Sequence, residues 1–323
     1  MRADDSLATI LLVGRLPGDG VRPLKASEFW KLCEIVVEPS QLLGAAEERL
    51  VADHGLEAAL AGRVVALLDR ATAMAFELER LGQAGISVLT PFDEHYPRRL
   101  VERVEASAPV LLYAAGAVDL LGEGGIGVVG SRDVSPEGAQ VAGAAAELAA
   151  RLEAPLISGG ARGVDQIAMN TAFEAGGAVV GVLAESLMRK LRNADIRRAI
   201  LAGRAVTCTP YSPEAPFSVG NAMGRNKLIY ALSDLTVVVA ADAETGGSWS
   251  GAAETLRRGF GRVAVWRGPG EGPGNAVLAE RGAVPVTSLE ELESALLEAA
   301  KAGYGVPLRG DPPSSAPQSS LFD

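Results

Sequence analysis

Cysteine and histidine are almost missing from this 323-residue chain, which has only Cys33, Cys208, His54 and His95. So few exclude a disulfide framework and all but exclude a zinc site of the usual Cys/His kind. Aromatic residues make up only 5% of the sequence, so the core has to rest on Ala, Val and Leu, as in α/β proteins with closely packed helices. Cations are in deficit: 30 Lys and Arg stand against 40 Asp and Glu, a formal net charge of −10. That balance argues against a protein that coats nucleic acid by bulk electrostatics, so any polyanion must be held by a local patch. The apolar runs are too short to span a bilayer, and the chain opens without the charged segment of a secretion signal. The expectation is a cytoplasmic protein with no membrane association.

What is present divides into three parts. Residues 1–82 read as a small helical domain, with helices expected over Ser6–Leu16, Ala26–Val37 and Ala46–Ala61, the last broken at His54-Gly55. Arg63–Gly82 is the longest amphipathic stretch. Over residues 83–303, short apolar runs alternate with Ala-rich helical ones. The runs predict strands at 86–90, 109–113, 126–130, 155–158, 178–183, 205–208, 235–240, 263–266 and 284–286. Helices are expected at 136–151, 165–175, 196–202, 222–232, 251–258 and 289–302. This alternation predicts βαβ units, hence an extended Rossmann-like α/β domain: a doubly wound, mostly parallel sheet covered on both faces. Residues 304–323 carry prolines and serines and read as a disordered tail.

Several turns carry the residue types that bind phosphate. Gly130, Ser131 and Arg132 follow an apolar strand, with Ser135 a natural helix cap and Pro136 at the first helical position. A helix N-terminus offers unpaired N–H groups to an anion, and an arginine adds a fork of donors. Ser158, Gly159, Arg162, Gly163 and Asp165 repeat the pattern after the next strand. Two such turns at carboxyl ends of parallel strands would face one crevice. Arg225, Asn226 and Lys227 lie near the start of a predicted helix, and Gly246, Gly247 and Ser248 form a possible anion nest before another. Trp249 could stack on a base or simply pack. Arg189, Lys190 and Arg192 open a basic stretch over 187–204, either a solvated helix face or an extension of a track for a polynucleotide backbone. Neither the dinucleotide fingerprint nor a Walker lysine occurs, and no base, nucleophile or carboxylate cluster suggests catalysis. The expectation is a binding protein, not an enzyme, without cofactor or metal.

In their order, these motifs resemble the DprA/Smf family of bacterial DNA-processing proteins. The match rests on Gly130-Ser131-Arg132, the run from Ser158 to Asp165, and Phe217 followed by Arg225-Asn226-Lys227. Gly85 to Val88, Tyr96-Pro97, Pro109 to Tyr113, Gly261 to Val265, Gly274-Asn275 and Gly282-Ala283 extend it over roughly residues 80–298. The resemblance implies single-stranded DNA binding, homodimerisation and loading of a RecA-type recombinase during natural transformation. It would place DNA contacts on Ser131, Arg132, Arg162, Arg225, Asn226 and Lys227. Departures mark a divergent member. Ala168-Met169 stands where the family has Ala-His, Gly246 to Trp249 replaces Ser-Gly-Ser-Leu, and the usual Tyr-Pro is missing near 186–196. No C-terminal winged helix is expected, since the fold should end near residue 303.

The last residues add one motif. Gln318, Leu321 and Phe322 are similar to the Gln-x-x-Leu-Phe peptide by which bacterial proteins dock on the replicative sliding clamp. Leu321 and Phe322 would fill an apolar pocket there. Two alternatives stay open: a nucleotide-binding sensor or phosphoribohydrolase-like enzyme, and a DNA-associated interaction protein in phage defence.

Overall fold

The computed structural model describes residues 3–16, 18 and 20–302. Five helices come first: α1 (Ala3–Val13), α2 (Ala26–Ile35), α3 (Glu47–His54), α4 (Ala58–Leu68) and α5 (Ala71–Gln83). With the short turn Pro39–Leu42 between α2 and α3, they bury Leu11, Leu12, Phe29, Leu42, Leu50 and Leu67 in one core, which also takes in Val110 and Leu111 from the segment leading into the second strand. The amphipathic stretch over 63–82 is therefore two helices. The break has a physical cause: Arg70 is buried between them, and its guanidinium donates to the carbonyls of Leu67 (3.1 Å), Leu11 (2.5 Å) and Gly14 (2.9 Å). A buried guanidinium has to find such acceptors, and helix-terminal carbonyls are the ones left free.

The rest of the chain builds a sheet of nine strands among the described residues. In sequence order its elements are β1 (Ser87–Leu89), α6 (Arg98–Val104), β2 (Leu112–Gly116), α7 (Leu120–Glu123), β3 (Ile126–Val129), α8 (Pro136–Arg151) and β4 (Leu156–Ser158). They continue with α9 (Val164–Glu174), β5 (Val179–Val182), α10 (Leu187–Lys190), α11 (Ala194–Leu201), β6 (Ala205–Thr209), α12 (Val219–Leu232) and β7 (Leu235–Val238). The last are α13 (Gly246–Arg258), β8 (Val263–Trp266), α14 (Asn275–Glu280), β9 (Val284–Val286) and α15 (Leu289–Lys301). The strand order is β1-β2-β6-β5-β4-β3-β7-β8-β9. From β6 to β9 every pairing is parallel, whereas β1 and β2 run antiparallel at one edge. This is the doubly wound, mostly parallel α/β sheet that the alternation predicts.

Both faces of the central strands are buried. Ile126, Val128, Val237 and Val239 pack with α8, α9 and α15, while Val129 and Val238 face α12, α13 and α14. The second strand lies three residues later than the apolar run at 109–113 suggests. Val110 and Leu111 serve the helical core instead, and the Pro109 carbonyl accepts from Tyr96 Oη at 2.5 Å. No helix among the described residues is long and apolar enough to cross a membrane. Gln318, Leu321 and Phe322 lie outside the described residues.

Candidate nucleic-acid interface

Strand β3 is the point where the winding reverses. The chain runs from β3 outward through β4, β5 and β6, then returns through α12 to place β7 on the other side of β3. Loops leaving β3 and β7 diverge there, and such a point opens a crevice beyond the carboxyl ends of the strands. A hollow of about 570 Å³ occupies it, lined by the β3–α8 loop, the start of α9, one flank of α12 and the first turn of α13.

The two glycine-containing turns are locked to each other. Gly163 has φ +86°, and a Cβ there would meet the Ser131 carbonyl oxygen at 2.4 Å. Only glycine tolerates both the backbone angle and the contact. Ser158 Oγ donates to the Val128 carbonyl at 2.6 Å, pinning the two strand ends together. Asp165 is buried and accepts from the amides of Gly159 (3.2 Å) and Ala161 (3.4 Å), and from that of Gly130. Burial pushes its carboxyl up to about 6, against the opposing pull of the Arg225 charge and these amides. Ser158, Gly159, Gly163 and Asp165 are thus the frame of the crevice. Ser131 and Arg132 lie on its open side.

Helix α12 begins at Val219, so Arg225, Asn226 and Lys227 sit within it, not at its N-terminus. Successive residues point about 100° apart on a helix, and the three side chains diverge accordingly. Arg225 is 5% exposed and donates through Nη1 to the Val182 carbonyl at 2.6 Å, while its Nε has no partner among the described residues. Desolvation lowers its pKa, and Asp165 acts in the opposite direction. Asn226 Nδ2 donates to the Gly247 carbonyl at 2.9 Å and so ties α12 to α13. Lys227 turns away from the crevice and donates to the Ser107 carbonyl at 3.1 Å.

Helix α13 starts at Gly246, five residues before the predicted position, because Gly246, Gly247 and Ser248 are its first turn and not a loop ahead of it. The cap residue, Thr245, makes no side-chain hydrogen bond to that turn, which faces the crevice. Its amides carry the positive end of a helix of 13 residues. Ser248 Oγ donates to the Gly130 carbonyl at 2.8 Å, fixing the turn to the β3 loop. Trp249 is buried with Arg281 4.9 Å above its ring, so packing wins over base stacking. The N-terminus of α8 is differently placed. Ser135 Oγ accepts from the Gly138 amide at 3.1 Å, and Gly270 packs so closely that a Cβ on it would lie 2.2 Å from that same amide nitrogen. This end carries the Ser135 cap and packs against Gly270, whereas the first turn of α13 has no side-chain cap.

The exposed cations have neighbours that the sequence pattern does not announce. Arg132 lies over the ring of Phe217, 5.7 Å from its centroid, and Phe217 is 47% exposed. Arg162 pairs with Asp133 at 2.7 Å. A second hollow of about 300 Å³ shares Arg132, Ala161, Phe217 and Arg225 with the crevice and continues past Arg162 to Lys190. At its far end Arg189 and Lys190 both pair with Glu185, Lys190 at 2.8 Å. Arg192 is exposed but lines neither hollow. Farther along, Arg198 pairs with Asp195, and Arg204 lies over Phe173. The basic stretch over 187–204 is therefore divided among α10, α11 and their ends and does not form one face. Among the described residues, no three His, Cys, Asp or Glu side chains converge as a metal site needs.

Comparison with known proteins gives the family and the fold. The family model for DNA recombination-mediator protein A matches residues 87–296. A putative DNA processing protein DprA of Mycobacterium tuberculosis is 30% identical over 245 residues, covering 70% of this chain and 60% of the relative. DNA processing protein DprA of Bacillus subtilis is 27% identical over 223 residues, covering 67% and 73%. The chain thus spans about 60% of the length of the mycobacterial relative. Among solved structures, DNA processing protein A of Streptococcus pneumoniae superposes with a TM-score of 0.61 at 23% identity, over 84% of this chain and 98% of that one. DNA processing protein A of Helicobacter pylori, solved for its mode of binding single-stranded DNA, gives a TM-score of 0.54 at 24% identity, over 66% and 96%.

Proposed function

The chain belongs to the family of DNA recombination-mediator protein A, and on that premise we propose that it binds single-stranded DNA along the two joined hollows. The observation that carries this reading is continuity. The crevice and the smaller hollow share Arg132 and Phe217, which makes a groove of linked compartments and not a closed pocket for one nucleotide. The amides at the start of α13 take one phosphate, and Arg132 takes the next as its neighbour Phe217 offers an aromatic face to a base. Ser131 and Arg162 line the path, while Ser158, Gly159, Gly163, Arg225 and Asn226 hold its walls. Lys227 lies outside it. With a net charge of −10, affinity rests on a few groups and falls with salt by a log–log slope of about 0.7 for each phosphate they neutralise. Fluorescence anisotropy with labelled oligo-dT tests the reading: a single strand is bound in preference to the same sequence as duplex. Equal affinity for both, or none for either, refutes it.

The role that follows is delivery of DNA to recombination machinery by binding alone, without catalysis. A RecA-type recombinase is the receiving partner, and the protein acts in the cytoplasm as a homodimer. Residues 1–82 form the helical lobe, residues 83–303 the DNA-binding lobe and residues 304–323 a tether. Gln318, Leu321 and Phe322 recruit the sliding clamp. Retention of the clamp by the tail peptide, lost when Leu321→Ala and Phe322→Ala are combined, supports that last step; equal retention by the double variant rejects it.

A further inference from the structure

A second cleft lies on the far flank of α12, between the helical lobe and the sheet. It has a volume of about 600 Å³, within the range of sites for small ligands. Its floor is apolar, formed by Leu24, Met74, Leu81, Val110 and Leu228 among others. Its rim is cationic in an otherwise acidic protein. Arg15, Arg22 and Lys25 stand on it from the segment joining α1 to α2, and Lys227, whose Nζ donates to the Ser107 carbonyl, lines it from α12. The first three are exposed, and none has an ion-pair partner among the described residues. The one carboxylate lining the cleft, Glu77, is engaged by Arg80 through two hydrogen bonds of 2.8 Å. Tyr113 also lines it, and burial pushes its phenol up to about 12, so it remains a hydrogen-bond donor at neutral pH.

We propose that this cleft binds a nucleotide unit, with the base on the apolar floor and phosphate on the rim of Arg15, Arg22, Lys25 and Lys227. A ligand with a single carboxylate would leave most of these cations unmatched, and an uncharged apolar one would leave all of them so. A phosphate ester joined to a planar ring satisfies both parts of the cleft. The unit is either a free nucleotide or part of a bound strand that crosses α12 from the groove, and the second case rests on the DNA-binding reading above. Helix α12 is the shared wall: Asn221, Gly224 and Lys227 line the cleft, while Met223, Arg225 and Asn226 line the crevice.

The test uses the full chain, calorimetry with dTMP and ATP, and anisotropy with dT oligomers of increasing length. It compares wild type with the double variant Arg22→Glu, Lys25→Glu and with Arg132→Ala, thermal melting confirming that all are folded. If the ligand is free, dTMP or ATP binds, and the double variant weakens that binding by about tenfold or more while Arg132→Ala preserves it. If it is part of a strand, mononucleotides do not bind, and the double variant weakens only the longer oligomers. A double variant that binds mononucleotides and long oligomers as wild type does overturns the proposal, as does a wild type that binds none of them. Failure of the groove reading shows separately, as an Arg132→Ala variant with unchanged affinity for every oligomer.

Discussion

The guanidinium of Arg225 lies against Gly159 so closely that a Cβ on the glycine would sit 1.7 Å from Nη1. The glycine is there to admit the arginine, and the arginine in turn holds the Val182 carbonyl and faces Asp165. Gly159→Ala should therefore cost about 1–3 kcal/mol, as overpacking of a tight interior does. Arg225→Ala should cost a similar ~1–3 kcal/mol by removing a buried donor and leaving Asp165 without its countercharge. Urea unfolding measures both. For DNA, Arg225→Ala should weaken binding through loss of the frame while leaving the salt dependence unchanged, because a side chain this buried neutralises no phosphate.

Asp165 gives the protein a pH signature. Its folded-state pKa is raised to about 6 from 3.8, so protonation favours the folded state, and its contribution is fully present below pH 3.8 and lost as pH rises through 6. Relative to an Asp165→Asn variant, the wild type should lose stability between pH 4 and 6, by about 1 kcal/mol per pH unit at most. Above that range the difference should be flat. Urea melts at stepped pH check this, and a difference independent of pH would show that the carboxyl titrates normally. The same burial places a carboxylate at the base of an anion site, so DNA affinity should rise as pH falls through 6.

Thr245 leaves the first turn of α13 without a side-chain cap. Thr245→Asp supplies one and adds a negative charge at the positive helix end, which should stabilise the fold by about 0.5 kcal/mol. It should also occupy the amides that the DNA phosphate needs and weaken binding about tenfold. Opposite signs in melting temperature and affinity distinguish an anion site from an ordinary helix terminus. A variant stabilised with unaltered affinity would remove α13 from the interface.

The strands and most of the helices were legible because their side chains need only to be apolar at the right period. Ile126 to Val129 and Leu235 to Val238 are buried on both faces, and such strands show as continuous apolar runs. What stayed hidden depends on partners distant in sequence. Arg70 interrupts an amphipathic stretch because Leu11 and Gly14 lie beside it, a contact across nearly sixty residues of chain. Pro136 and Ser135 announce a capped helix start, but the packing of Gly270 against it, far along the chain, has no local signal. The site glycines divided likewise: Gly246 and Gly247 look like a loop, but they open a helix that Ser248 and Asn226 fasten in place. Charge was the least legible property. Glu185 sits two residues before the basic stretch and pairs with its first two cations, and Asp133 does the same for Arg162. Among the described residues Arg132 has no such carboxylate partner, and Phe217 lies against it instead.

That makes Arg132 the residue on which the account turns. The measurement is the affinity of wild type and Arg132→Ala for oligo-dT across a series of salt concentrations. One phosphate contact fewer should lower the affinity and reduce the magnitude of the log–log salt slope by about 0.7. An Arg132→Ala variant with the wild-type affinity and slope would mean that the strand does not run through this groove.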